Sequence, residues 1–324
     1  MKVIVAGGGG YIGSFMVKAL CDRGDSVFVI DNFLKGYWEA VDKRAKIIEG
    51  NLMDEAFVSE AVKSIGEIDA VINFAGLIEV GQSVKEPGLY FNTNILIVLN
   101  LLENIKNTKT KFIFSSTAAV YGTPETVPIS EDHIKNPTNP YGESKLMIEK
   151  ILYWYNKTYG IAFTALRYFN ASGAALDGSM GERHNPETHL IPVAIKALLK
   201  KTPFHLYGND YKTKDGTCLR DYIHVLDLVQ AHLLSLDTMK DNSSHTYNVG
   251  TGKGYTNREI IDTIEKISGE KLEVVISERR LGDPDELVAD ATKIKTELGF
   301  EPKYSDLETI IKSAYTWHVN EQGK

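Results

Sequence analysis

Val3-Ile4-Val5-Ala6-Gly7-Gly8-Gly9-Gly10-Tyr11-Ile12-Gly13 opens the chain, and its reading decides the fold. A short apolar run, rich in β-branched residues and ending at glycines, reads as a buried parallel strand. Residues 12–20 then read as a helix whose apolar side packs back on the sheet. The glycines between them let the backbone turn sharply. They also let a pyrophosphate approach the helix N-terminus, where free N–H groups and the helix dipole favour anions. Two spacings fit, Gly8-x-Gly10-x-x-Gly13 and the wider Gly7-x-x-Gly10-x-x-Gly13. Both place a dinucleotide at a strand-to-helix turn, although spacing alone would also suit a plain glycine turn.

The context favours the dinucleotide. Residues 26–30 form a second apolar strand that ends in Asp31. An acid at that place accepts both hydroxyls of an adenosine ribose and repels a 2′-phosphate, so NAD is expected rather than NADP. Lys35, close by in sequence, is the residue that runs against this preference.

Alternation continues through the first half. Strands are expected at 45–49, 70–73, 111–114 and 162–167, with helices at 55–64, 87–106 and 141–159. This is an α/β chain with a Rossmann-type doubly wound parallel sheet. The second half loses the rhythm: 172–188 is loop-rich, 208–216 is a polar loop, and helices are expected at 191–201, 226–237, 257–268 and 305–319. It reads as a smaller mixed α/β substrate domain closing over the cofactor. The expected division is 1–170 for the NAD-binding domain and 171–324 for the substrate domain, with residues around 220–240 packing back on the first.

Bulk properties exclude several classes. A net charge of −7, from 36 basic and 43 acidic residues, offers no basic field for nucleic acid. No apolar run approaches a membrane span, and glycines interrupt the N-terminal strand before a signal-peptide core could form. The two cysteines, Cys21 and Cys218, lie far apart, as expected of a cytoplasmic protein. The eight histidines show no zinc-ligand spacing, His224 and His232 read as packing or solvent-facing residues, and no metal is expected.

Tyr141-x-x-x-Lys145 starts a helix just after Pro140, so both side chains leave one face. A phenol is a poor base at neutral pH, but a neighbouring ammonium and a cationic nicotinamide would favour its phenolate. Tyr141 could then take a proton from a sugar hydroxyl, with Thr117 or Ser116 aligning that hydroxyl. Tyr153-x-x-x-Lys157 has the same spacing two turns later. The first pair is preferred because it follows the Ser115-Ser116-Thr117 strand end and a proline-containing loop.

Together with Phe74-Ala75-Gly76, Arg167-Tyr168-Phe169-Asn170, Arg220-Asp221-Tyr222-Ile223-His224, Tyr207-Gly208-Asn209-Asp210-Tyr211 and Arg279-Arg280-x-Gly282-Asp283-Pro284, these motifs resemble the extended short-chain dehydrogenase/reductases. The similarity runs nearly end to end, and is greatest to the branch that epimerises UDP-hexoses at C4. The resemblance implies tightly held, unconsumed NAD, a transient 4-keto-hexose, and interconversion of UDP-glucose and UDP-galactose. It implies cofactor contacts from Gly7, Gly10, Tyr11, Ile12, Gly13, Asp31, Asn32, Phe33, Leu34, Lys35 and Gly36. Further contacts are implied from Asn51, Leu52, Phe74, Ala75, Gly76, Leu77, Ile78, Asn94, Ser115, Thr117, Tyr141, Lys145 and Phe169. On the UDP-sugar side it implies Asn170, His189, Leu190, Tyr207, Arg220, Tyr222, Arg280, Asp283 and Leu287. Any one of these could instead be a surface or core residue. A homodimer is implied too, with the apolar faces of 94–102 and 146–155 pairing in a four-helix bundle.

Departures from the family pattern matter. Asn51 stands where many members carry Asp, Ile78 replaces a lysine, Thr117 replaces a serine, and Phe15 replaces a histidine. Ala118-Ala119 stand where sugar-nucleotide dehydratases carry an Asp-Glu pair, so dehydration lacks its proton carriers. Leu287 replaces a bulky tyrosine of some epimerases, which leaves room for a 2-acetamido group and extends the expectation to UDP-GlcNAc and UDP-GalNAc. An epimerase of a pentose or uronic-acid nucleotide remains an alternative, as does a non-catalytic NAD-binding regulator, although the latter would be marked by a broken Tyr/Lys pair.

Overall fold

The computed structural model describes residues 1–279 and 283–322. In chain order the first half forms β1 (Lys2–Ala6), α1 (Tyr11–Arg23), β2 (Ser26–Asp31), β3 (Lys46–Glu49), α2 (Glu55–Ile65), β4 (Ala70–Asn73), α3 (Val80–Lys85), α4 (Pro87–Ile105), β5 (Lys111–Thr117), α5 (Pro140–Tyr159) and β6 (Phe163–Tyr168). There follow β7 (Asn170–Ser172), α6 (Leu190–Lys200), β8 (Phe204–Tyr207), β9 (Leu219–His224), α7 (Val225–Thr238), β10 (Ser244–Val249) and β11 (Gly254–Thr256). The chain closes with α8 (Asn257–Ser268), β12 (Val274–Ser277), β13 (Glu286–Leu287), α9 (Thr292–Leu298) and α10 (Leu307–Gln322).

The main sheet has seven strands in the order β10-β6-β5-β4-β1-β2-β3. Its inner pairs, β1 with β2 and β4, β2 with β3, and β4 with β5, are all parallel. The order reverses at β1 and β4, and in open α/β sheets ligands bind beyond the strand ends at such a reversal. Strands β1 and β4 are apolar throughout their inner residues because helices cover both faces. The core joins Ile4, Val71, Phe112 and Phe114 of the strands to Val98, Leu101, Ile148 and Leu152 of α4 and α5.

Two compact units divide the chain. The first comprises Met1–Gly122, Lys135–Arg167 and Ala231–Tyr247, and the second Thr123–Ile134, Tyr168–Gln230 and Asn248–Lys324. Within the second unit, β9 is flanked by β11 and β13 and also pairs with β7, while β8 pairs with β12. Its core gathers Ile191, Ile195 and Leu198 of α6 with Ile260, Ile264, Ile310 and Ile311 of α8 and α10.

Differences from the sequence reading are local. Strand β5 runs on through Thr117 instead of ending at Phe114, and α3 is an additional single-turn element. Helix α1 continues to Arg23, where Gly24 takes the left-handed conformation that stops it. The short strands of the second half were unreadable: β8 alternates buried and exposed over only four residues, too short for a pattern.

Candidate active site

The turn after β1 is built by two glycines that no other residue could replace. Gly7 has a φ of +79°, and a Cβ there would sit 2.6 Å from the Ala75 backbone nitrogen. A Cβ on Gly13 would sit 2.2 Å from the Gly7 carbonyl oxygen, so the first turn of α1 can approach the strand end only as glycine. Gly10 occupies the N-cap of α1 and offers no side chain to the first-turn N–H groups. Asp31, nine-tenths buried at the end of β2, accepts from Gly9 N at 2.8 Å and Phe33 N at 2.9 Å. Its carboxylate therefore pins the glycine turn to the loop after β2. That loop folds over the turn, with Tyr37 N donating to Gly9 O at 2.9 Å and the Phe33 ring stacked on Trp38. Lys35 reaches Glu79 at 3.3 Å. An uncapped helix start against a close strand end, beside a buried acid, suits a dinucleotide's diphosphate and ribose.

Other expected cofactor residues fall into distinct environments. Leu52 is buried in the core, and its carbonyl accepts from Asn100 Nδ2 at 2.9 Å. Asn51 is exposed; its Oδ1 accepts from Met53 N at 3.0 Å and keeps a second lone pair. Ile78 is exposed, whereas Phe15 is buried with its ring edge-on to Tyr11. Asn94 is almost wholly buried and spends its amide on the protein: Oδ1 accepts from Leu77 N at 2.7 Å, and Nδ2 donates to Leu77 O and Ser144 Oγ. It clamps the loop after β4 onto α5.

Tyr141 and Lys145 lie in the first turns of α5, which Asn139 caps by accepting from Gly142 N at 2.9 Å. Lys145 is 2% exposed; its Nζ donates to the Ser115 carbonyl at 2.8 Å and lies 4.9 Å from the Phe114 ring centroid and 5.9 Å from that of Tyr141. Burial pulls its pKa down to about 8. Burial also pushes the Tyr141 phenol up, and the hydrogen bond with Thr117 works the other way. The ammonium is thus held on a carbonyl near the phenol, whose own shift burial dominates. Thr117 Oγ1 also accepts from Ala119 N at 3.1 Å, which holds its side chain at the end of the strand.

The structure brings Thr117 to Tyr141 but sends Ser116 elsewhere. Successive side chains of a strand point to opposite faces. Ser116 Oγ accordingly donates to Glu149 Oε1 at 2.6 Å, inside a buried network that the sequence reading missed. There Arg167 meets Glu149 through Nε at 3.0 Å and a second nitrogen at 2.6 Å, and donates to the Tyr121 hydroxyl at 2.7 Å. The only early signal was a charged Arg167 at the end of an apolar strand. The competing Tyr153–Lys157 pair is on the surface: Tyr153 is 47% exposed, with Lys157 Nζ 5.5 Å from its ring centroid.

In the second unit, Arg220 is buried and donates to Asp283 Oδ1 at 2.6 Å and to the Leu219 carbonyl at 2.8 Å. Leu287 sits opposite Arg220 in the β13–β9 register. Asn170 Nδ2 donates to the Asp221 carbonyl at 2.9 Å, Tyr207 is partly exposed, and Tyr222 is buried with its phenol pushed up by burial. Phe169 is buried and donates its N–H to Val249 O, and Leu190 begins α6. His189 Nδ1 lies 2.8 Å from Glu182 and 3.3 Å from Glu187. Arg280 lies outside the described residues. His224, read as a packing residue, is fully buried; its Nδ1 accepts from Leu226 N, and burial lowers its pKa to about 4.

The chain belongs to the extended short-chain dehydrogenase/reductases: the family model described as GDP-mannose 4,6 dehydratase matches residues 4–313. A relative named UDP-glucose 4-epimerase, from Lactobacillus helveticus, is 46% identical over 321 residues, covering 98% of this chain and 97% of its own. The solved UDP-glucose 4-epimerase of Brucella ovis in complex with NAD superposes with a TM-score of 0.92 at 42% identity, over 97% of each chain. That of Bifidobacterium longum, in complex with NAD⁺ and UDP, gives 0.94 at 36% identity over 99% of each.

Lys145 should leave a signature in stability. Its folded pKa lies below the ordinary 10.5, so between about 8 and 10.5 the unfolded chain binds more protons and stability rises with pH. The cost of burying the ammonium is present below that window and relieved above it. Relative to Lys145→Met, the parent should gain roughly 2–3 kcal/mol from about pH 7 to about pH 10 by urea unfolding. A pH-independent difference would rule this out.

Proposed function

We propose that the protein is an NAD-dependent epimerase that interconverts UDP-glucose and UDP-galactose through a transient 4-keto-hexose. What carries the reading is the trio of Tyr141, Thr117 and the buried Lys145 in the unit that also holds the glycine turn and Asp31. Bound NAD would supply the hydride acceptor and donor. Gly7, Gly10, Gly13 and Asp31 would hold it, with the loop from Asn32 to Gly36 against the adenosine side.

Tyr141 would remove the C4 hydroxyl proton and later return it. Lys145, its Nζ 5.9 Å from the phenol's ring centroid, would favour the phenolate by its charge, and Thr117, hydrogen-bonded to the phenol, would share its hydroxyl with the sugar. Epimerisation needs a firmly anchored nucleotide and a loosely gripped hexose. Arg220 supports the anchor: its guanidinium is fixed by Asp283 and the Leu219 carbonyl, which leaves further N–H donors for a diphosphate. On this reading Asn170, Leu190, Tyr207 and Tyr222 belong to the UDP side, with His189 and Asp283 near it, and Arg280 would serve as a charged donor to the diphosphate. The intact Tyr141–Lys145 pair speaks against a non-catalytic regulator. A cytoplasmic site of action is part of this reading. Among the described residues no helix is long and apolar enough to cross a membrane, and both cysteines are free and buried.

The purified protein should release NAD on denaturation and equilibrate UDP-galactose with UDP-glucose without added cofactor. Tyr141→Phe should lower turnover by about 10²–10⁴-fold while NAD content and folding persist. Full-rate turnover by that variant, or conversion of UDP-arabinose or UDP-galacturonate alone, would overturn the reading.

N-acetylated sugars are included in the proposal because Leu287 is smaller than the tyrosine of some relatives. Leu287→Tyr should suppress UDP-GalNAc conversion and spare UDP-galactose; equal rates with both in the variant would remove the gating argument.

Dimerisation through α4 and α5 is also proposed. The two helices pack on each other yet leave Leu89, Leu96, Met147 and Trp154 exposed. Light scattering should give twice the 36.0 kDa chain mass, and a monomer at micromolar concentration would refute it.

A further inference from the structure

The loop between β7 and α6 carries four side chains, of which the proposed function draws on His189 alone. Glu182, His184, Glu187 and His189 fall within eight positions of sequence. Their donor atoms all lie within 4.8 Å of one another. Both imidazoles use the same atom, Nδ1, toward the same two carboxylates. His184 Nδ1 is 3.2 Å from Glu182 Oε1 and 3.7 Å from Glu187 Oε1, and His189 Nδ1 is 2.8 Å and 3.3 Å from those oxygens. From these residues we propose a divalent cation site, with zinc as its ion.

The distances suit that ion. Ligands about 2.0–2.2 Å from a tetrahedral zinc stand roughly 3.3–3.5 Å apart along the edges, and the four N–O separations bracket this value. Two imidazole nitrogens with two carboxylate oxygens select zinc over magnesium or calcium, which take oxygen alone. With four protein ligands the site is closed, so its role is structural.

The burial of its two carboxylates, and their outer contacts, distinguish the cluster from a solvated ion pair. Glu182 and Glu187 are each more than nine-tenths buried, and Glu187 Oε2 has no hydrogen bond, facing Lys196 Nζ at 3.5 Å. Glu187 Oε1 is oriented by Thr188 N at 3.0 Å and His189 N at 3.2 Å, while the Glu182 backbone carbonyl accepts from Trp317 Nε1 at 3.1 Å. Such outer contacts hold metal ligands in position before the ion arrives. His189 is also the N-cap residue of α6, so the ion would fasten a long loop to that helix's first turn.

The test uses the tag-free full chain, stripped with chelator and then equilibrated with Zn²⁺ against a chromophoric competitor. One zinc per chain is expected by elemental analysis, together with a rise in melting temperature. Co²⁺ should give the intense visible bands of a tetrahedral site. His184→Ala and Glu182→Gln should each weaken zinc binding by more than the roughly 10–100-fold that losing an outer contact costs. Substoichiometric zinc in the parent chain, or octahedral cobalt bands, would overturn the proposal whether or not the variants fold. So would variants that bind zinc as the parent does. None of these readouts depends on sugar turnover.

Discussion

Everything in the first unit hangs on one close approach, the first turn of α1 resting on the Gly7 carbonyl. A single methyl group at Gly13 would stand 2.2 Å from that oxygen. Because none is there, the helix begins almost on top of the strand. Its first-turn N–H groups then lie beside the end of β1, where the strand order reverses. Asp31 makes the arrangement rigid by accepting from Gly9 and Phe33 at once. The acid expected to read a ribose is therefore also a brace for the turn, and replacing it would disturb both.

The end of β5 divides labour by strand alternation. Thr117 faces Tyr141, the Ser115 carbonyl receives Lys145, and Ser116 turns to the other side to join Glu149 and Arg167. Buried charge is tolerated on that far side because Glu149 and Arg167 meet through two nitrogens and their remaining capacity goes to Ser116 and Tyr121. On the near side the lysine has a carbonyl and two rings, which explains why its pKa falls when that of Arg167 rises.

How much of this the sequence disclosed follows from the range of each interaction. Glycine turn, Asp31 and the apolar strands of the parallel sheet were legible because each is set by neighbours in sequence. Ser116 was read with Thr117 as a single strand end; had β5 been taken to run through 117, period-two alternation would have separated them. The Glu149–Arg167 pair is a tertiary match between a helix and a strand, and no local pattern announces it. Strand β10 escaped because Ser-His-Thr-Tyr-Asn-Val carries few apolar residues at the edge of the sheet. Glu-x-His-x-x-Glu-x-His was in plain view, yet a loop has no period from which convergence could be inferred.

The matching family model is described as a dehydratase, and the geometry after β5 bears on which reaction the scaffold supports. Eliminating water from a sugar needs an acid and a base beyond the tyrosine that serves oxidation. Here the residues directly after Thr117 are Ala118 and Ala119, folded into a short 3₁₀ turn whose N-cap is Thr117 itself. Neither carries a proton, and the turn commits the threonine oxygen to Ala119 N while its hydroxyl serves Tyr141. A chain with one proton carrier at this place can take a proton from a hydroxyl and give it back. That sequence leaves the sugar's atoms unchanged in number and alters only the side from which hydrogen returns.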